Sequence, residues 1–314
     1  MFVYVLKRLG GVVPVLALVA VGAFLLVHLV PGDPAMVMLG SDATPQQIQT
    51  LRAQMGLDRS LPEQFVIWVG QSLHGNLGES FFLGRPVTQA LMERLPATMQ
   101  LATLSLVFSL LIGIPAGILA AVRQNSWWDQ AVMVTAMAGI SIPSFWLGLA
   151  LILLFSVQLG WLPSGGYVPL SEDFWGGVRI LILPSISLGL MQAALIARMA
   201  RSSMLEVLRQ DYVRTANAKG LAWARVTLKH ALKNAMVPVI TTVGTAFGVL
   251  LGGAVIVEIV FTYPGLGRLV VLAVQRRDYP LVQGALLLTS VIYVAVNLAV
   301  DLLYSVFDPR IKYE

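Results

Sequence analysis

Six stretches of this chain are apolar for long enough to cross a membrane: about residues 9–30, 97–121, 131–157, 180–200, 235–257 and 282–306. A bilayer's hydrocarbon is roughly 30 Å thick, which an α-helix covers in ~20 residues. In that solvent every backbone N–H and C=O must be satisfied within the segment, so helix is the form open to each run. The expected fold is therefore an all-α integral membrane protein with six transmembrane helices. Only 12% of the 314 residues are charged and 57% are hydrophobic, too little polar surface to cover a soluble globule.

An even number of spans puts both termini on one side, and the Lys and Arg residues say which. Lys7, Arg8, Arg123, Arg310, Lys312 and the eight basic residues between Arg198 and Lys233 fall on one face, which is read as cytoplasmic. Topology thus accounts for the net charge of +5 without nucleic acid as a partner. The run from Leu9 ends at Val30-Pro31, with no small-residue cleavage site, and reads as an uncleaved first span. The chain has no cysteine, so no disulfide or thiolate metal site orders its loops.

Between the first two spans lies a long external loop, Pro31 to Leu95. Thr44 to Met55 predicts a helix, with Thr44 as N-cap, Pro45 at the first helical position and Gly56 as its stop. Pro62 to Leu73 predicts a second, so the loop is expected to be a helical subdomain. The resulting division is 1–95 for the first helix plus external subdomain, 96–306 for the membrane core of spans 2 to 6 with a cytoplasmic loop at 198–234, and 307–314 for a tail.

The spans carry little that could do covalent chemistry. Neither Ala97–Val122 nor Ala131–Val157 holds a titratable Asp, Glu, Lys, Arg or His, and no His lies deep enough to serve as base for Ser141 or Ser185. His28, Arg198, Glu258 and Asp301 lie near span ends, where a polar head can reach water or headgroups. A proton-coupled carrier would need charged groups at the midplane. No Lys follows a Gly, so the Gly-Lys-Ser/Thr phosphate loop is absent from the sequence and any ATP must be hydrolysed by a partner. No catalytic residue, metal ligand or bound cofactor is expected of this chain.

Uncharged polar residues do recur at helical spacing. Thr241 and Thr245, with Gly244, Gly248 and Gly252, mark the fifth span; Ser290, Tyr293, Asn297, Asp301 and Tyr304 the sixth; Ser185, Gly189 and Gln192 the fourth. Such stripes suit either close helix packing or the lining of a wet path. Gln192, Thr241, Thr245, Ser290, Tyr293 and Asn297 are the candidates for that path. Pro143, mid-span between Ser141 and Ser144, is expected to kink the third helix. In the cytoplasmic loop, Val213–Lys219 and Trp223–Lys233 are helical by composition, and Gly220 supplies the turn between them. Two short helices at a sharp angle would make a rigid projection for an adjoining soluble protein.

At this loop the sequence resembles the permease subunits of bacterial ATP-binding-cassette importers, whose shared signature is Glu-Ala-Ala-x3-Gly-x9-Ile-x-Leu-Pro. Ala216, Gly220 and Leu232 match it, while Arg214, Thr215, His230 and Lys233 depart from it. Those departures resemble the usual form in the dipeptide, oligopeptide and nickel branch. So do Pro31-Gly32-Asp33-Pro34, Leu95-Pro96-Ala97-Thr98, Pro143-Ser144-Phe145-Trp146, Pro264-Gly265-Leu266-Gly267-Arg268, Arg277-Asp278-Tyr279-Pro280 and Asp308-Pro309-Arg310, in this order along the chain. The likeness is to the first of the two permeases in such systems. It implies a type I importer permease fold in the bacterial inner membrane. It also implies a second homologous permease, two ATPase subunits that use ATP and Mg, and a periplasmic solute-binding protein. The solute would be a peptide, or else a nickel chelate, glutathione or another compound. Carried over by position, Arg214, Thr215, Ala216, Lys219 and Gly220 would contact the ATPase.

Overall fold

A computed structural model describes residues 2–29, 34–39, 43–54 and 56–307. Pro31–Asp33, Met55 and the tail from Asp308, with Arg310 and Lys312, lie outside the described residues, as do the side chains of Lys7, Arg8, Asp301 and Tyr304. The described residues are mostly helical and fall into two compact units: 2–96 with Arg268–Ala295, and Ala97–Gly267 with residues 296–307.

The first unit begins with α1 (Phe2–Leu29), followed by α2 (Pro34–Leu39), α3 (Pro45–Gln54) and α4 (Leu61–Leu73). Thr44 caps α3 as the sequence predicts: Gln47 N–H donates to Thr44 Oγ1 at 3.4 Å, and Thr44 N–H donates to Gln47 Oε1 at 2.9 Å. Gly56 follows with φ +67°, a turn that stops the helix without side-chain strain. Ser60 N–H donates to Glu63 Oε2 at 3.2 Å at the head of α4. Phe24 of α1 packs edge-on to Phe65 of α4, ring centroids 5.3 Å apart, and also against Trp68. A short antiparallel hairpin, β1 (Glu79–Ser80) with β2 (Arg85–Pro86), is an addition that the helical reading of the loop lacks. This unit also holds most of α12 (Leu266–Gln275) and the first half of α13 (Tyr279–Phe307).

The second unit is built on α5 (Val87–Val122), α6 (Trp127–Ser141), α7 (Ser144–Leu151), α8 (Phe174–Leu208) and α11 (Leu232–Val260). A π-helical stretch, Ile152–Gln158, prolongs α7, and another, Val226–Ala231, leads into α11. Lipid tails are as apolar as Leu, so helices in a bilayer associate through close packing at small residues. Here α5 and α8 approach at Gly113 and Gly117. A Cβ on Gly113 would stand 2.6 Å from the Ala193 carbonyl oxygen, and one on Gly117 would overlap that of Ala197. Gly189 of α8 lies against Ser105 and Ser109, whose hydroxyl donates to the Gly189 carbonyl at 2.7 Å. The fifth-span glycine stripe is mixed: Gly244 is buried, whereas a Cβ on Gly252 would meet nothing within 4 Å.

By length and composition, four helices among the described residues can cross a membrane, or five when α6 and α7 count together as one span. The run near the N-terminus forms α1, apolar from Gly10 to Leu26. The third run departs most from expectation. Instead of a kinked helix it is two helices bent by 102°. Pro143 has no N–H to donate and pushes the preceding residue out of the helical region. Ile142 and Pro143 both take extended backbone, with ψ of 121° and 135°.

Candidate functional site

The basic loop folds as the sequence predicts. Helix α9 (Asp211–Ala218) ends at Lys219, Gly220 turns the chain with φ +75°, and α10 (Trp223–Arg225) opens the second arm. Val213, Ala216 and Val226 form a small buried core, with Val207, Leu208 and Leu221 packed on it. Asn234 of α11 donates to the Tyr212 hydroxyl at 2.8 Å, tying α9 to the base of the span. The hairpin is thus held by its own packing. Arg214, Thr215, Lys219 and Gly220 are exposed on it, and Ala216 is turned inward. Of the five residues named from the sequence, four offer a surface and one supports it. The Arg214–Asp211 pair at 3.5 Å is open to water and contributes little.

The path candidates separate into three settings. Gln192 is 3% exposed, and with the break between α6 and α7 it lines a cavity of about 310 Å³. Thr241 and Thr245 lie on an exposed face of α11. Their hydroxyls donate back to carbonyls of their own helix, Thr245 to Thr242 at 3.0 Å, as Ser and Thr hydroxyls within helices do. Ser290 does the same to Leu286 at 2.8 Å, while Tyr293 is 51% exposed and Asn297 half-buried. On α8, Ser185 and Gly189 are enclosed by packing, so the fourth-span stripe is divided between an interface and a cavity.

Several buried polar groups carry structural work that the sequence does not disclose. The sequence reading puts Glu258 near water at a span end, but it is fully buried. The Thr98 hydroxyl donates to Glu258 Oε1 at 2.5 Å and accepts from Leu266 N–H at 2.8 Å. Gly265 passes so close to the Glu258 carboxyl that no Cβ fits there. One carboxyl therefore joins the Leu95–Thr98 and Pro264–Arg268 motifs. Beside it, Tyr263 is buried and its hydroxyl donates to Gln100 at 3.3 Å. Burial, with Tyr167 and Glu258 nearby, pushes that phenol's pKa up, so it stays a neutral donor.

In the other unit, Asp278 is 1% exposed and accepts from the Ser80 hydroxyl and the Phe82 N–H, which fastens the β1–β2 turn to the head of α13. Arg201, counted above as a topological charge, is bidentate to Asp129, with Nη2 to Oδ2 at 2.7 Å. That pair clamps α6 to α8. His28 is packed on Phe24, with ring nitrogens 3.0 Å from the Phe24 carbonyl and 3.3 Å from Gln64 Oε1, as a structural histidine would be.

Comparison with known proteins agrees with this architecture. The family profile described as binding-protein-dependent transport system inner membrane component matches residues 113–313, and its N-terminal companion matches residues 1–102. The glutathione transport system permease protein GsiC of Escherichia coli (strain K12) is 46% identical over 311 residues, 99% of each chain. A Brucella abortus (strain 2308) chain, provisionally named a peptide transport system permease protein, is 46% identical over 310 residues, again 99% of each. Among solved structures, the MetNI methionine transporter in inward-facing conformations superposes with a TM-score of 0.58 at 21% identity, covering 70% of this chain and 97% of that one. That last likeness is one of fold. The chain belongs to the family of binding-protein-dependent transport system inner membrane components and is a permease subunit of an ATP-binding-cassette importer.

Proposed function

We propose that this chain pairs with a second, homologous permease to form the path of a short peptide across the bacterial inner membrane. An external solute-binding protein delivers the solute, and two partner ATPases, which hold the ATP and Mg, drive the cycle. The chain itself then hydrolyses nothing and binds no cofactor. Six spans carry it, with both termini cytoplasmic. The observation that carries this reading is the hairpin at Gly220, a self-supported projection with four exposed candidate contact residues: Arg214, Thr215, Lys219 and Gly220. Rigidity matters because a soft loop would absorb a partner's movement, whereas a packed one passes it to α11 and α8.

Gln192, Thr241, Thr245, Ser290, Tyr293 and Asn297 are proposed to border the path. Neutral polar groups contact peptide amides without holding them so firmly that release stalls. The relative named as a glutathione permease favours a second reading, in which the same machinery carries glutathione or another non-peptide solute. Reconstitution with the co-encoded subunits tests both: ATP-driven uptake of whatever the purified binding protein carries is expected. Uptake without ATP would overturn the importer reading, and a non-peptide cargo would select the second. Single thiols at Thr245 and Asn297 should switch between labelled and protected when ATP is trapped. Protection in both states would remove them from the path.

A further inference from the structure

The break between α6 and α7 leaves backbone polar groups open where the apolar run should have buried them. The first four N–H groups and last four C=O groups of any helix lack partners within it. At this break Pro143 is the N-cap of α7 and provides no side-chain hydrogen bond. At membrane depth such groups are tolerated where they line a cavity. The cavity is present, about 310 Å³, bounded by residues 139–144 on one side and by α8 and α11 on the other. An independent group points to it: Gln192 lines the cavity, is 3% exposed, and its carboxamide has no hydrogen-bond partner among the described residues. Ser187, also at the wall, is already committed, since its hydroxyl donates to the Ser144 carbonyl at 2.6 Å.

The lining says what chemistry fits. It contains no charged side chain, and its bulk is aliphatic: Ile140, Leu147, Leu190, Val249 and Leu250. A carboxylate or ammonium would be buried there without a counter-charge, at a cost that its hydrogen bonds would not recover. The negative end of α6 and the positive end of α7 meet at the same break, so their half-charges oppose one another. What remains is a neutral set of donors and acceptors beside an apolar slot. We propose that this cavity is a transient subsite for one uncharged peptide group and its adjoining aliphatic side chain, with the Gln192 carboxamide pairing to the amide. The proposal rests on the permease reading above and adds to it the class of group that is recognised within the membrane.

The test uses the assembled transporter in lipid, with Ser141→Cys at the cavity wall as the sole thiol of this subunit. The probes are N-acetyl-leucine N-methylamide, its charged relatives N-acetyl-leucine and leucine amide, and isohexane as an apolar control. The neutral diamide is expected to slow alkylation of the thiol about fivefold or more, the weight of one or more hydrogen bonds, while the other three leave it unchanged. Gln192→Met, which keeps the side chain's length, should abolish that protection. Val249→Trp should also abolish it, by filling the cavity from a residue that is half exposed. Equal protection by isohexane, or none by the diamide in the unsubstituted background, overturns the proposal. ATP-driven uptake measured on the same vesicles separates the two readings: intact uptake without protection removes only this subsite, and absent uptake removes the permease assignment beneath it.

Discussion

The turn at Gly220 allows backbone conformation and side-chain bulk to be separated in one experiment. Its φ of +75° lies in the left-handed region, and no atom stands within 4 Å of where a Cβ would be. A side chain there meets no clash within the chain, so the cost is that of the backbone alone, about 1–2 kcal/mol for an ordinary L-residue. Asn visits this region at lower cost, and a β-branched residue at higher. The hairpin core of Val213, Ala216 and Val226 has to supply that energy. The amides that close the turn, Gly220 to Asn217 and Val226 to Ala222, should then exchange about 5–30 times faster in Gly220→Ala. Gly220→Val should exceed this, and Gly220→Asn should fall near the parent. Solute-stimulated ATP hydrolysis in proteoliposomes should follow the same order, Gly and Asn above Ala above Val. An order set by volume instead, with Asn as poor as Val and Ala close to Gly, would refute the backbone argument and assign the site to a tight socket on the partner.

Thr98→Val keeps the shape but removes one donor to the Glu258 carboxyl and the acceptor of the Leu266 N–H, so it should lower stability by about 1–3 kcal/mol, whereas Thr98→Ser should stay near the parent. Thermal unfolding of the purified complex decides this, and equal midpoints for the two variants would count against the link. Gly117→Ala forces a Cβ onto the Ala197 carbonyl and should cost about 1–3 kcal/mol, while Gly252→Ala has open space and should change folding by less than about 0.5 kcal/mol. Monodisperse yield after heating compares them. A Cys at Ser60 should react with an impermeant reagent from outside and one at Asn217 only from the cytoplasmic side. Both positions are exposed, so the reverse pattern would invert the topology.

Legibility in the sequence followed the range of the interaction. The cap at Thr44, the stops at Gly56 and Gly220, and the helices that flank them depend on neighbours a few residues away, and they appear where the sequence predicts them. At Pro143 the local rule showed that the helix is disturbed but not by how much. The 102° angle depends on what the two helices pack against, and one such contact is Ser187 of α8, whose hydroxyl donates to the Ser144 carbonyl at the head of α7. The path candidates show the same limit, because polar spacing on α8 is identical for a residue pressed against α5 and for one that borders a cavity.

Helix-forming apolar runs, the small basic hairpin and the motif order were determined by the sequence, since a bilayer enforces internal hydrogen bonding on each segment separately. Only the tertiary structure decided where the buried polar groups find partners: Glu258 with Thr98, 160 residues away, and Asp278 with Ser80, 198 residues away. A carboxyl near a span end can reach water or turn inward, and composition is the same in both cases. The free energy of burial depends on the donor that meets it, and that donor is brought there by the fold.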